Sequence, residues 1–277
     1  MELVCRDRTL DLSRTHVMGV LNVTPDSFSD GGAYFALEAA VEHARAMAAE
    51  GASIIDIGGE STRPGADSVS VDEELARVVP VIEELRAADV DAVISVDTSK
   101  AAVMRAAVAA GAGLINDVRA LREPGALQAA AELNVPVCLM HMQGDPRTMQ
   151  TNPRYGDVIA DVAAFLSQRV AACIDAGIGR DRLLLDPGLG FGKTLEHNLT
   201  LLKHLDAFSR LRLPLVVGLS RKRLIGAILN ADVGDRLYGS IAGAVIAAGN
   251  GARIIRAHDV RATVDAVRIC DAVYGAE

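Results

Sequence analysis

Arg182-Leu183-Leu184-Leu185-Asp186-Pro187-Gly188-Leu189-Gly190-Phe191-Gly192-Lys193 is the stretch that decides the fold. It is a short apolar run that ends in a carboxylate and continues into a Gly-rich loop with a lysine. Such a run is typical of a strand that is buried on both faces of a parallel sheet. Parallel barrels place their chemistry at the carboxyl ends of the strands. The stretch therefore predicts a buried parallel strand with Asp186 at its functional end.

The same pattern of an apolar strand followed by helical sequence occurs along the whole chain. Strands are predicted at 17–21, 53–57, 92–96, 113–115, 136–140, 182–185, 215–219 and 253–258. Helices are predicted at about 36–50, 72–88, 124–133, 155–176, 195–205 and 260–273, with Asp72 as the cap of the second. Two more helices are predicted, one that follows Asp97-Thr98 and ends at Gly111, and one that follows Lys222 and ends at about residue 250. Eight such repeats predict an α/β fold, a (β/α)₈ TIM barrel. Because no linker interrupts them, residues 1–277 are predicted to form a single domain that begins with a polar hairpin or lid over 1–15.

Composition limits the classes of function. Of the 277 residues 50% are hydrophobic, only 3% are aromatic and none is Trp, so the core must consist of Ala, Val, Ile and Leu. A net charge of −8 argues against a nucleic-acid partner, which needs a basic face. We expect no membrane association, because no apolar stretch is long enough to span a bilayer. Cys5, Cys138, Cys173 and Cys270 form no C-x-x-C pair, and without a signal peptide they indicate reduced thiols in a cytoplasmic protein.

Several common motifs are excluded by single residues. A Walker A loop would need glycine where Pro187 stands, and a dinucleotide fingerprint would need glycine at Lys193. His141 has no second histidine at metal-binding spacing, and Ser220 lacks the G-x-S-x-G context of a hydrolase. The Gly-rich loop is therefore interpreted as a strand-to-helix turn.

Polar residues at the strand ends are predicted to meet at one mouth of the barrel. They are Asn22, Asp56, Asp97, Asn116, His141, Asp186, Ser220, Lys222, Arg256 and His258. A single strand-end aspartate is often only a helix cap, but ten polar residues at one rim favour a site. Carboxylates and amides suit a ring rich in N–H donors, whereas the cations, Arg63 included, suit phosphate. The mixture indicates a planar heterocycle that carries a phosphate-type leaving group.

Two loops carry a family resemblance. Leu21-Asn22-Val23-Thr24-Pro25-Asp26-Ser27-Phe28-Ser29-Asp30-Gly31-Gly32 and Gly58-Gly59-Glu60-Ser61-Thr62-Arg63-Pro64-Gly65 resemble the signature loops of the dihydropteroate synthases. Blocks at 186–193, 218–222 and 256–260 resemble further blocks of that family. The resemblance implies a TIM barrel that is usually homodimeric. It implies an enzyme of folate synthesis that joins 6-hydroxymethyl-7,8-dihydropterin pyrophosphate to p-aminobenzoate with Mg²⁺, releasing dihydropteroate and pyrophosphate. Sulfonamides, which mimic p-aminobenzoate, are expected inhibitors.

The resemblance also implies a role for each matching residue. The pterin would be bound by Asp97, Asn116, Asp186, Lys222, Arg256, Met140 and Val118, with Asp56 and Gly218 close by. The pyrophosphate would be bound by Asn22, Arg63, Arg256 and His258, with Asn22 also contacting Mg²⁺. The p-aminobenzoate would be bound by Thr62, Pro64, Phe191 and Ser220, while Phe28 and Asp30 close over the reacting centre. The catalytic set is expected to be Phe28, Asp30, Arg63, Asp97, Lys222, Arg256 and His258.

Three other interpretations stay open. A methyltetrahydrofolate-dependent methyltransferase uses a similar pterin-binding barrel, and a catalytically silent paralogue would only bind pterin. A barrel with sugar-phosphate chemistry would explain the cations but not the Asp/Asn cluster. Gly243 and Gly249 are expected to loosen the helix before residue 250, where alanine would be commoner.

Overall fold

The strands form a closed parallel barrel, as the sequence predicts. The computed structural model describes residues 1–23, 32–61, 65, 68–145 and 148–276, with the side chains of 32–36 left out. The barrel strands are β3 (His16–Asn22), β4 (Ile54–Gly58), β5 (Val93–Asp97), β6 (Leu114–Asp117), β7 (Val137–Met140), β8 (Leu183–Asp186), β9 (Leu215–Gly218) and β10 (Ala252–Ala257). Each pairs with its neighbour in chain order, and β10 closes onto β3. The (β/α)₈ prediction is confirmed.

Helices cover the outside of the barrel. They are α1 (Gly32–Ala49), α2 (Val71–Ala87), α3 (Ala101–Ala110), α4 (Ala126–Leu133), α5 (Val158–Asp175), α6 (Leu195–Lys203), α7 (Arg223–Leu229), α8 (Leu237–Gly249) and α9 (Val260–Tyr274). The cap of α2 is Ser70, whose side chain accepts from the backbone of Glu73, so the prediction of Asp72 as cap is wrong. The helical sequence up to residue 250 is divided into α7 and α8, because Asn230 adopts a left-handed conformation (φ 49°) and ends α7. No helix in these ranges is long and apolar enough to cross a membrane.

An N-terminal hairpin closes the amino end of the barrel. Its strands β1 (Glu2–Cys5) and β2 (Arg8–Asp11) pair antiparallel. Leu3, Cys5, Leu10 and Leu12 are buried against one side chain from every barrel strand: Met18, Ile54, Val93, Leu114, Cys138, Leu184, Val216 and Ile254. Removing this apolar surface from water stabilises the floor, by roughly 1.5–3 kcal/mol for each fully buried large side chain. The hairpin thus lies at the opposite end of the barrel from the strands' carboxyl ends.

On five of the eight strands, the inward position two residues beyond the floor is polar: Asp56, Ser95, Asn116, Asp186 and Arg256. Because side chains alternate between the faces of a strand, residues i and i+2 point the same way. Ile54 in the floor is followed by Asp56, Leu114 by Asn116, and Leu184 by Asp186. The outward positions between them stay apolar and pack under the helices. Each of these strands therefore contributes residues to the apolar floor, to the outer core and to the polar upper layer.

Gly243 has a packing role that the sequence does not reveal. A Cβ at this position would lie 2.5 Å from Leu219 Cδ1, so the absent side chain lets α8 approach the barrel. A Cβ at Gly249 would lie 3.1 Å from the ring of Tyr274. Alanine at Gly243 would therefore press on Leu219, and the expected loosening of the helix stays a prediction beside this packing role.

Candidate active site

Arg256 connects two carboxylates in the polar layer. Its Nε donates to Asp56 Oδ2 at 2.7 Å and its Nη2 donates to Asp97 Oδ2 at 2.9 Å. The three side chains come from β10, β4 and β5. Burial raises the pKa of Asp97 to about 8, while the Arg256 charge opposes the rise. Because one guanidinium serves two buried carboxylates, the cluster is rigid and can accept a further cationic or N–H donor partner.

Asp56 is held from both sides. Its Oδ1 accepts from Ser95 Oγ at 2.6 Å, and its Oδ2 accepts from Asn116 Nδ2 at 2.9 Å in addition to Arg256. With both oxygens in use, Asp56 orients Asn116 and Arg256 within the layer. The sequence analysis missed Ser95, although it lies two residues before Asp97 on the same face of β5.

Asp186 and Lys222 lie at the ends of neighbouring strands. Asp186 Oδ1 accepts from the Gly188 backbone N–H at 2.7 Å. Burial raises the pKa of Asp186, opposed by the Lys222 charge, and burial lowers the pKa of Lys222 to about 8. A Cβ at Gly218 would lie 3.5 Å from Arg256 Cβ and 3.7 Å from Lys222 Nζ. A side chain at this position would thus be in van der Waals contact with both cations, and the glycine leaves that position free.

An apolar cluster lies beside the polar layer. Val118, Met140, Met142 and Met149 are buried together, and Phe191 packs against them. Lys222 Nζ is 4.5 Å from the centroid of the Phe191 ring, within cation–π distance. The predicted residues Met140, Val118 and Phe191 are therefore brought together on one side of the mouth.

The Gly-rich loop after β8 requires its glycines. Gly188, Gly190 and Gly192 have φ angles of 70°, 85° and 61°. A Cβ at Gly188 would lie 1.9 Å from the His141 backbone oxygen, and one at Gly192 would lie 2.5 Å from the Gln143 backbone oxygen. Left-handed conformation and close approach both favour glycine here, so the loop can pass tightly over the loop that follows β7.

Ser220 and His258 are neighbours at the ends of β9 and β10. Ser220 Oγ accepts from the His258 backbone N–H at 3.2 Å and lies 3.1 Å from His258 Nδ1. Ser220 is buried, so its hydroxyl orients the histidine ring. Its expected contact with the carboxylate of p-aminobenzoate stays a prediction.

Asn22 ends β3 at the same rim. A Cβ placed on Gly58 would lie 3.9 Å from Asn22 Oδ1 and 3.5 Å from Asp97 Cβ, so the Asn22 and Asp97 side chains flank this glycine. An uncharged amide oxygen suits Mg²⁺, which usually takes few protein ligands and fills its shell with water and substrate phosphates. In the described ranges no cluster of three His, Cys, Asp or Glu side chains is arranged to hold a metal, and Mg²⁺ at Asn22 stays a prediction. The predicted residues Phe28, Asp30, Thr62, Arg63 and Pro64 lie outside the described residues.

A buried ion-pair network at the base of the second signature loop was not predicted. Lys100 Nζ bonds both Glu60 and Glu74. Glu74 is 1% exposed, and within the described part of the chain its Oε1 has no hydrogen-bond partner. The network holds Glu60, which lies two residues after the end of β4 at Gly58. The only signal in the sequence is a lysine three residues after strand-end Asp97.

His141, which was expected at the rim, faces away from the mouth. Its ring packs edge-on against Phe165 at 4.9 Å between centroids and lies 2.9 Å from Lys193 Nζ. Strand alternation explains this orientation, because Met140 faces inward and the next residue must face outward. His141 therefore belongs to the support of the Gly-rich loop.

Comparison with known proteins finds one family. The profile of the family described as "Pterin binding enzyme" matches residues 18–258. A dihydropteroate synthase of Escherichia coli (strain K12) is 56% identical over 277 residues, which cover 100% of this chain and 98% of that protein.

Solved structures agree with the sequence relatives. A Yersinia pestis dihydropteroate synthase with a sulfonamide drug complex superposes with a TM-score of 0.95 at 56% identity, covering 100% of both chains. A Xanthomonas albilineans dihydropteroate synthase with 4-aminobenzoic acid superposes with a TM-score of 0.94 at 53% identity, covering 100% of this chain and 99% of that one. The relatives thus match this chain over nearly its whole length and over nearly the whole of theirs.

Proposed function

The chain belongs to the family of pterin-binding enzymes, and we propose that it is a dihydropteroate synthase. It joins 6-hydroxymethyl-7,8-dihydropterin pyrophosphate to p-aminobenzoate and is a transferase of folate synthesis. The observation that carries the proposal is the layer in which Asp97, Asn116 and Asp186 lie beside Lys222 and Arg256. This layer offers acceptors for ring N–H groups next to cations for a phosphate-type group.

The pterin ring fits the upper layer of the barrel. Asp186 accepts N–H bonds from the aminopyrimidine edge, Asn116 contributes its amide, and Lys222 donates to the ring carbonyl. The Arg256 guanidinium, held by Asp56 and Asp97, lies flat against the ring face. Because these groups are already bonded in place, little reorganisation is needed when the substrate binds.

The reaction needs no protein nucleophile. The carbon–oxygen bond to pyrophosphate breaks and its electron pair leaves with the pyrophosphate, giving a methylene cation conjugated with the dihydropterin. Asp97 in its ionised form, and Asp30 by family resemblance, stabilise this cation electrostatically. The neutral amine of p-aminobenzoate then forms the carbon–nitrogen bond and loses a proton. Positioning and electrostatic stabilisation thus provide the rate enhancement.

The leaving group is held at the ends of β3 and β10. His258, oriented by Ser220, and Arg256 bind the pyrophosphate, together with Arg63 by family resemblance. Asn22 would hold Mg²⁺, which supplies charge neutralisation to the departing pyrophosphate. p-Aminobenzoate binds beside the Phe191 ring, which is held by its contact with Lys222, and Thr62, Pro64 and Ser220 complete its pocket.

A homodimer is the proposed assembly, in the cytoplasm. Large apolar side chains on and between α7, α8 and α9 are exposed, namely Ile228, Leu229, Val233, Tyr238, Ile246, Ile269, Val273 and Tyr274. Contiguous exposed apolar surface is typical of subunit interfaces. Light scattering is expected to give twice the chain mass for the native protein and a smaller mass for Tyr238→Asp, whose side chain is 80% exposed. A monomeric native protein contradicts the dimer.

The function is tested by following product mass. The purified protein receives the dihydropterin pyrophosphate and Mg²⁺, with and without p-aminobenzoate. Dihydropteroate that forms only with p-aminobenzoate supports the synthase. Tight pterin binding without product would indicate a silent paralogue, and methyl transfer from methyltetrahydrofolate would indicate the methyltransferase.

A further inference from the structure

Lys193 is a buried cation for which the reaction has no direct use. It is 3% exposed at the end of the Gly-rich loop. Its Nζ lies 2.9 Å from His141 Nδ1, 2.9 Å from the Gly188 oxygen and 3.0 Å from the Phe191 oxygen. An ammonium has three N–H donors, and here four acceptors surround it, because the His141 backbone oxygen also lies 3.4 Å away. The site is therefore built for this side chain.

The contacts of Lys193 join both substrate subsites. The Gly188 peptide is fixed on both sides, since its N–H donates to Asp186 Oδ1 at 2.7 Å while its carbonyl accepts from Lys193. Phe191 lies two residues before Lys193, and its backbone carbonyl accepts a hydrogen bond from the ammonium, which holds the residue in place. One ammonium thus sets the distance between the carboxylate that binds pterin and the ring that stacks on p-aminobenzoate.

His141 gives the ammonium a fixed point on the barrel. Its backbone N–H donates to the Asp186 backbone oxygen at 2.9 Å, which ties the end of β7 to β8. Burial lowers the pKa of the His141 imidazole to about 3, so the ring is neutral. For Nδ1 to accept from Lys193, the ring proton must sit on Nε2. Burial also lowers the pKa of Lys193 to about 7, opposed by the Asp186 charge.

We propose that Lys193 is a positioning residue that places the p-aminobenzoate subsite relative to the bound pterin. The inference rests on the proposed function. Without the ammonium, the Gly188 and Phe191 carbonyls lose a buried donor and the loop shifts to find other partners. The Phe191 ring then moves relative to Asp186, so the second substrate is affected more than the first.

The test compares Lys193→Met with Val103→Ala. Methionine keeps the length of the lysine side chain but removes its N–H donors, and Val103 is a fully buried residue of α3. Both variants are expected to lower the midpoint of thermal unfolding, and only Lys193→Met alters binding. In Lys193→Met the KM for p-aminobenzoate rises about tenfold, the equivalent of one buried hydrogen bond, whereas the KM for the pterin substrate and kcat change less than about threefold.

The outcomes separate the two proposals. Native protein without p-aminobenzoate-dependent product refutes the proposed function before any variant is examined. With an active native protein, Lys193→Met kinetics that match Val103→Ala overturn the positioning role. If Lys193→Met does not fold, Lys193→Gln replaces it; its amide keeps two N–H donors, and a rise of about threefold in the same KM is expected. An unchanged KM in that variant also overturns the proposal.

Discussion

Two carboxylates share one guanidinium at the centre of the site. Asp56 and Asp97 both bond Arg256, and Asp56 is fully buried. A buried carboxylate that loses its cation is costly, because its charge is then uncompensated in a medium of low polarity. The residues proposed to bind the substrate are therefore also residues that the fold needs.

Arg256→Met is expected to lose turnover and to destabilise the protein by about 3–5 kcal/mol, since two carboxylates would be left facing each other. The free energy of unfolding from urea titration measures the effect. Arg261→Met is the matched control, because Arg261 pairs with Asp265 at the surface, where its side chain is 69% exposed. That change should cost less than about 0.5 kcal/mol. Equal losses in the two variants would contradict the assigned role of Arg256.

His141 makes a pH-dependent contribution to stability. Burial lowers its pKa from 6.5 to about 3, so between these values the unfolded chain binds a proton that the folded chain does not. Above pH 6.5 neither the folded nor the unfolded chain binds this proton, and His141 costs no stability. As the pH falls below 6.5 the free energy of unfolding decreases, and at pH 5 the decrease due to His141 is about 2 kcal/mol.

His141→Asn keeps an acceptor for Lys193 but cannot titrate. We expect the loss of stability between pH 7 and pH 5 to be smaller in this variant than in the native protein, as measured by urea unfolding at each pH. His43→Asn, on the exposed face of α1, is the control for replacing a histidine at the surface. A native-like slope in His141→Asn would show that its proton uptake does not drive acid unfolding.

At the scale of elements, the sequence predicts the strands well for a physical reason. Strands buried on both faces must be continuously apolar, and each run ends where the chain meets the polar mouth. The same period of two explains why Asp56, Asn116 and Asp186 were found together. Ser95 could have been found by that rule.

Other features depend on tertiary placement and could not be predicted. No local sequence pattern predicts that Lys100 reaches Glu74, because that contact depends on how α2 and α3 pack. His141 was expected at the mouth because it follows a strand. Side chains alternate between the two faces of a strand, however, and at this position the side chain points outward. The division at Asn230 requires a left-handed residue in a sequence that otherwise favours helix.

Lys100→Met tests the network that joins these elements. It leaves Glu74 buried without its cation, and we expect a loss of about 3 kcal/mol in the free energy of unfolding. The double variant Lys100→Met/Glu74→Gln removes both charges and should recover most of that loss. If the double variant is as unstable as the two single losses added together, then the two residues are not energetically coupled.

At the scale of the whole molecule, the barrel has two unlike ends. The hairpin closes one end with apolar side chains, and the other end collects the carboxylates, amides and cations. A closed floor keeps water from entering beneath the polar layer, which strengthens the electrostatic interactions within it. We propose that this layer binds the pterin through strand-end carboxylates that face inward.

Calorimetric titration with the dihydropterin pyrophosphate, applied to Asp186→Asn and Asp117→Asn, is the sharpest check. Asp117 is also a buried strand-end carboxylate, but it faces outward and accepts from the backbone of Arg119 and Leu121. We predict that Asp186→Asn weakens pterin affinity about tenfold or more, because a charged acceptor is lost, while Asp117→Asn leaves it within about twofold. Unchanged affinity in Asp186→Asn, or equal losses in both variants, would contradict the proposed pterin site.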